Sequence, residues 1–144
     1  MDIPKIEKIK WGPGTWNFIH FVAITYPKEP TDNDMDKYLM FFTSLQHVLP
    51  CPKCSDNYKR HLDDFPIQKA LTNNQELFKW TVDIHNEVNK ELNKREYSYE
   101  EALNIYLNPT QEKHDTYTLI GVLLLLFFVF LLADRKWKII SRFI

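Results

Sequence analysis

Only three glycines interrupt this chain of 144 residues: Gly12, Gly14 and Gly121. No glycine-rich phosphate loop can be built from them, which excludes Rossmann and P-loop nucleotide sites. Cysteine is scarcer still. Cys51 and Cys54 are the only two, too few for a disulfide scaffold. Neither sign of charge prevails: 18 basic against 19 acidic residues leave a net charge of −1, and nothing suggests nucleic-acid binding. Strand signals are nearly absent, which excludes the thioredoxin arrangement of alternating strands and helices. There is no internal repeat. No long apolar run opens the chain, so we expect no cleaved secretory signal.

What is present begins with the two cysteines, in Pro50-Cys51-Pro52-Lys53-Cys54. Residues three apart on a helix are neighbours, close enough for their sulfurs to bond. Pro52 suits the first turn of a helix, with Cys51 as its cap and Cys54 inside that turn. The exposed N–H groups and positive dipole end there favour thiolate over thiol. A dithiol poised to open and close is the reading this supports. Two small buried hydrophobes that happen to lie close are the bland alternative, and the proline frame argues against it. One catalytic disulfide can exist even in a reducing cytosol if something keeps reoxidising it.

A second run bounds the class. Residues 116–133 carry no charge and are rich in Leu and Phe. As a helix they span roughly 27 Å, about the thickness of a hydrocarbon core. Asp115 and Asp134 bracket the run; Arg135, Lys136, Lys138 and Arg142 follow it, with Trp137 at an interface position. A buried core helix of this size would show a polar stripe, so we expect a single C-terminal transmembrane helix. The Lys/Arg excess beyond the span opposes a cytosolic domain. The missing early signal favours one, left in the cytosol on a C-terminal anchor, and we weigh it more heavily. Residues 1–107 then form one small domain, 108–115 a polar linker containing Pro109, and 134–144 a basic tail.

That domain reads as all-α, an antiparallel four-helix bundle with a short fifth helix. Pro13 suits the first turn of a helix that carries Trp16, Phe18, Ile19, Val22 and Ala23 and ends before Pro27. Thr31-Asp32-Asn33-Asp34 caps a second, which Pro50 ends. The third starts at the cysteines and runs to about Phe65. A fourth starts near Asn74 and repeats Leu77, Trp80, Ile84, Val88 and Leu92 at helical spacing. Ser98-Tyr99-Glu100-Glu101 is a capping-box pattern that opens the fifth, which reaches about Tyr106.

Without a glycine-rich loop, any cofactor must be held between helices by side chains. Gly12, Trp16 and His20 fall at i, i+4 and i+8 on one face of the first helix. Trp80, His85, Asn86 and Asn89 gather on the fourth, beside its apolar stripe. A lone Trp is more often core than ligand wall, and a lone His or Asn more often a satisfied structural group. Together they also suit a flat ring system: aromatics stack on it, His and Asn orient it, and Gly12 permits close backbone approach.

These residues form a pattern. Trp11-Gly12-Pro13-x-x-Trp16-x-x-x-His20, then Tyr26-Pro27, Leu49-Pro50-Cys51-x-x-Cys54, and Trp80-x4-His85-Asn86-x-Val88-Asn89-x-x-Leu92-x-Lys94 resembles the Erv/ALR family of FAD-linked sulfhydryl oxidases. The resemblance covers about residues 10–107. It implies a helical bundle holding FAD noncovalently in its mouth, with Gly12, Trp16, His20, Tyr26, Trp80, His85, Asn86, Val88, Asn89 and Lys94 around the cofactor. It implies that substrate thiolate attacks Cys51, that Cys54 faces the flavin, and that electrons pass to dioxygen to give hydrogen peroxide, with no metal. Position 93 is asparagine where a common family pattern reads Leu-Gly-Lys. A second, shuttle cysteine pair, frequent in the family, is missing. The chain therefore resembles the compact members of large DNA viruses, which serve disulfide formation in virion proteins. The same resemblance implies thiol-containing protein substrates, reached directly or through a separate thioredoxin-like or small dithiol relay protein, and a homodimer. Two rivals remain. One is a structural zinc site on His47, Cys51, Cys54 and His61. The other is a non-enzymatic membrane adaptor, which leaves the cysteine pair unexplained.

Overall fold

The structure, a computed structural model, describes residues 7–107 and 111–140, and on the last helix the side chains of 117–131 only. Six α-helices and one 3-10 turn make it up, with no strand among the described residues. They fall into two units, 1–106 and 107–144.

Local sequence explains most of the boundaries. Helix α1 spans Lys8–Ile24. It begins ahead of the expected start, so Pro13 lies inside it instead of in its first turn. A proline there withholds the N–H that the Ile9 carbonyl would take. The strain is tolerable because this end is open: Ile9, Pro13 and Gly14 are all exposed, and water can reach the carbonyl. Helix α2 spans Asp32–Val48 and opens on a capping box, in which the Asp34 N–H donates to the Thr31 hydroxyl and the Thr31 N–H donates to the Asp34 carboxylate. Helix α3 runs Pro52–Asp64 with Cys51 as its cap. A 3-10 turn, Ile67–Lys69, follows Pro66 and drives Ile67 into the core; nothing in the periodicity announces so short an element. Helix α4, Asn74–Glu91, is capped by the Asn73 side chain on the Glu76 N–H at 3.0 Å.

The end of α4 answers the question raised at position 93. Asn93 takes φ 52°, the left-handed region. Its N–H donates to the Lys90 carbonyl at 3.0 Å, and the Lys94 N–H donates to the Asn89 carbonyl at 2.8 Å. This is a Schellman ending, and asparagine is the residue that tolerates it best after glycine. Helix α5, Tyr99–Leu107, opens on the capping box expected at Ser98 and Glu101.

Helices α1 and α2 run antiparallel, as do α3 and α4, as cross-helix contacts show. Phe18 meets Phe41 and Tyr26 meets Tyr38 between α1 and α2. The Tyr58 hydroxyl of α3 donates to the Phe42 carbonyl of α2. Between α3 and α4, Asn57 and Arg60 reach Glu91 near one end, and Trp80 reaches the Phe65 carbonyl near the other. Helix α1 closes the bundle against α4. The core inside is aromatic and aliphatic: Ile19, Ala23, Phe42, Leu77, Phe78, Val82 and Ile84 are all buried.

Helix α6, Gln111–Ile140, forms the second unit. It takes in residues 111–115, which the sequence places in a linker; 108–110 lie outside the described residues. The described side chains from 117 to 131 are exposed and almost all apolar. Among the described residues no helix is long and apolar enough to cross a membrane. The side chains of Thr116, Leu132 and Ala133, which complete the expected span, and of the charged groups flanking it lie outside the described residues.

Candidate active site

The cysteine pair is built by a chain break. Leu49, held extended before Pro50, ends α2. Cys51 is extended too (φ −156°, ψ 111°), and its Sγ accepts the Cys54 backbone N–H at 3.3 Å. The Cα atoms stand 5.2 Å apart and the two sulfurs are joined in a disulfide. Both residues are half-buried while Lys53 between them is exposed, so the bond lies near solvent. A Cys51 thiolate would keep its N–H donor and the positive end of α3, which lower the thiol pKa. Both sulfurs are committed to each other, which takes them out of a thiolate zinc set. His47 is exposed and His61 buried, so those two do not share one environment.

A second constellation lies between α1 and α4. The Trp16 ring stacks flat on His85, centroids 4.1 Å apart and planes 3° apart. His20 Nε2 lies 3.0 Å from His85 Nδ1, and His20 Nδ1 lies 2.9 Å from the Thr81 hydroxyl. Burial, then the neighbouring His85, pushes the His20 pKa down to about 3. Burial, then the Lys94 charge, lowers His85 to about 4. Both imidazoles are neutral at pH 7. They line a cavity of about 190 Å³ together with Asn86, Tyr97, Ala102 and Tyr106. The Asn86 amide clamps the Tyr97 backbone at both ends, 2.9 Å to its carbonyl and 3.0 Å to its N–H. Burial raises the Tyr106 phenol to about 12.

The expected site residues thus divide. Trp16, His20, His85 and Asn86 meet around or beside one cavity. Lys94 is exposed, with its charge felt at His85. Val88 is half-buried on the same helix. Asn89 is 5% exposed, and its amide nitrogen finds no partner among the described residues. Gly12 sits where an added Cβ would meet nothing within 4 Å, so the chain itself does not demand glycine there. Tyr26 and Trp80 do not line the cavity. The Tyr26 hydroxyl donates to the Leu71 carbonyl at 2.9 Å, and the Trp80 indole N–H to the Phe65 carbonyl at 2.8 Å. Sequence reading missed Thr81, Tyr97 and Tyr106. Thr81 carried a signal, since it lies four residues before His85 on one helix face.

Comparison with known proteins follows the same lines. A sequence model of the Erv1 / Alr family matches residues 13–108. A protein of Acanthamoeba polyphaga mimivirus described as "Probable FAD-linked sulfhydryl oxidase" is 42% identical over 110 residues, which cover 75% of this chain and 77% of that one. The FAD-linked sulfhydryl oxidase of an African swine fever virus isolate (Pig/Kenya) is 32% identical over 98 residues, covering 68% of this chain and 81% of the relative. The crystal structure of the yeast Erv1 core superposes with a TM-score of 0.67 at 23% identity, over 75% of this chain and 90% of that one.

Proposed function

We propose, from the premise that this chain belongs to the Erv1 / Alr family, that its Cys51–Cys54 disulfide is the working pair of a FAD-dependent thiol oxidase that makes protein disulfides. The observation that carries this is the disulfide itself, seated half-buried at the start of α3 with a backbone N–H on Cys51 Sγ. The residues present fit a flavin nucleotide. A flat Trp16–His85 stack offers a face for planar rings, neutral polar groups line the cavity, and the buried Asn89 amide has a donor to give. Trp16, His20, His85, Asn86, Asn89 and Lys94 are the residues we assign to holding FAD. Held there, FAD would supply the two-electron acceptor for the reduced cysteine pair, with dioxygen as the final oxidant and hydrogen peroxide as the product.

The chain's own chemistry is thiol exchange. A substrate thiolate attacks Cys51 Sγ, its new S–S bond replaces the Cys51–Cys54 bond, and Cys54 leaves as thiolate. A second substrate thiolate attacks the substrate sulfur of that mixed disulfide and expels Cys51. The Cys54 N–H stabilises the departing Cys51 thiolate, so this second step gains from the cap geometry. Two substrate thiols become one disulfide, and two electrons rest on the cysteine pair.

Four finer statements belong to the same reading. The uncharged run 116–133 supports a membrane anchor. A separate dithiol relay protein is the partner we assign to the Cys51–Cys54 pair. The viral relatives support service to virion proteins, and the exposed aromatics Phe18 and Phe21 on α1 support a homodimer. The test is the purified chain with dithiothreitol. We expect a yellow protein that consumes oxygen, and Cys51→Ser and Cys54→Ser variants that remain folded and yellow but consume none. A colourless, zinc-loaded protein, or variants with full turnover, would refute the assignment.

A further inference from the structure

The Thr81–His20–His85 chain runs in one direction from two buried residues to the half-buried His85. The Thr81 hydroxyl is fully buried and has one hydrogen to give. It lies 2.7 Å from the Phe78 carbonyl oxygen and 2.9 Å from His20 Nδ1. Were the hydrogen directed at His20, two oxygens would face each other at 2.7 Å with no proton between them. The hydrogen therefore lies on the Phe78 carbonyl, the usual back-bond of a helical threonine. His20 Nδ1 must then be the donor to Thr81. That leaves His20 Nε2 as a lone pair, which requires His85 Nδ1, 3.0 Å away, to carry the hydrogen. A neutral imidazole with its hydrogen on Nδ1 has a bare Nε2. The depressed pKa values of both rings fit this neutral chain.

We propose that Thr81 and His20 are positioning residues that fix His85 as its Nδ1–H tautomer, so that the cavity offers a bare Nε2 acceptor to a hydrogen-bond donor of the bound nucleotide. An exocyclic amine or a sugar hydroxyl satisfies that atom; a phosphate or carbonyl oxygen meets its lone pair and is disfavoured. FAD carries both kinds of group, so the tautomer selects which part of it can lie against His85. The identity of the ligand rests on the flavin reading above; the tautomer does not.

The test reads the two separately. Nitrogen-15 imidazole spectra of the 144-residue chain at pH 7 report which nitrogen of His85 is protonated. FAD dissociation constants are measured in parallel for the wild type, Thr81→Val and Thr81→Ser. We expect a protonated Nδ1 and bare Nε2 on His85 in the wild type and in Thr81→Ser. In Thr81→Val the fixed tautomer is lost and FAD binds roughly tenfold more weakly, as for one lost hydrogen bond. Serine restores both, which a purely volumetric role of threonine would not produce. A wild-type His85 protonated on Nε2, or a valine variant matching the wild type in tautomer and affinity, overturns the proposal. If valine prevents folding, the wild-type and serine spectra still decide it. If no form binds FAD, the spectra still judge the chain, and the flavin reading alone fails.

Discussion

Tyr26→Phe removes one oxygen atom and tests whether the structure or the family pattern better describes that residue. Tyr26 is 2% exposed, and its hydroxyl donates to the carbonyl of Leu71, itself 3% exposed, across 45 positions of sequence. The phenylalanine ring keeps the packing against Tyr38, so no cavity opens. What is lost is a buried hydrogen bond, with the Leu71 carbonyl left unpaired. That costs about 1–2 kcal/mol, the upper part of the range for such a bond because no water reaches the orphan. For a domain of this size the melting temperature falls by roughly 5–15 °C. The assay is thermal unfolding by circular dichroism, with flavin content read by absorbance on the same samples and unfolding repeated on flavin-free protein. The expected result is a lower midpoint in both forms and unchanged flavin content before melting. An unchanged midpoint with lost flavin would refute the reasoning, because the hydroxyl would then serve the cofactor and not the link between the α1–α2 turn and the segment before α4.

Acid should destabilise the domain through its histidines. In the unfolded chain they protonate near the ordinary 6.5, whereas folded His85 and His20 resist to about 4 and about 3. The unfolded state binds more protons between those limits, so stability is full above pH 6.5 and falls as pH drops toward 3; urea midpoints from pH 7 to 4 measure it, and a His20→Phe, His85→Phe double variant should flatten the slope. Asn93→Val forces a β-branched residue into φ 52° and should cost about 1–2 kcal/mol, whereas Asn93→Gly should cost nothing; chemical denaturation compares the two. A chain ending at residue 107 should stay soluble and oxidise dithiothreitol, yet oxidise folded client proteins only when a small dithiol protein is added. Fast direct oxidation of clients by the truncated domain would sink the relay.

Legibility in the sequence followed the range of the forces involved. Caps are local, and Thr31, Cys51 and Ser98 sit where three or four consecutive residues place them. The cysteine pair was equally readable, since its geometry depends on one helical turn. Proline was read too strictly. Its preference for a first turn is real, but at an exposed helix end water can take the carbonyl that a proline one turn further in leaves without its N–H. Trp80 and Tyr26 show the limit for site residues. Each has an apolar body and a polar tip, and such a residue serves a ligand wall and a core equally well. The structure adds what the sequence could not, a long-range partner for each polar tip, the Phe65 or Leu71 carbonyl. Thr81 could be read as a neighbour of His85 one turn back, but not as the partner of His20, 61 positions away.

The two chemical centres sit on different helix pairs, the disulfide where α2 meets α3 and the histidine cavity between α1 and α4. The seam between α3 and α4 sets how far apart those two centres stand. The register of α3 on α4 is pinned at both ends of the seam. At one end Glu91 gathers Asn57 and Arg60; at the other the Trp80 indole N–H holds the Phe65 carbonyl, the C-cap of α3. The exposed Arg60–Glu91 pair contributes little by itself. The Trp80 bond is partly buried, and the Trp80 ring meets the Phe42 ring of α2 at 79°, centroids 5.2 Å apart. One tryptophan therefore touches the helices on both sides of the cysteine break while standing on the helix that carries His85. Its place in the motif is explained by the spacing it maintains, whether or not it touches a ligand.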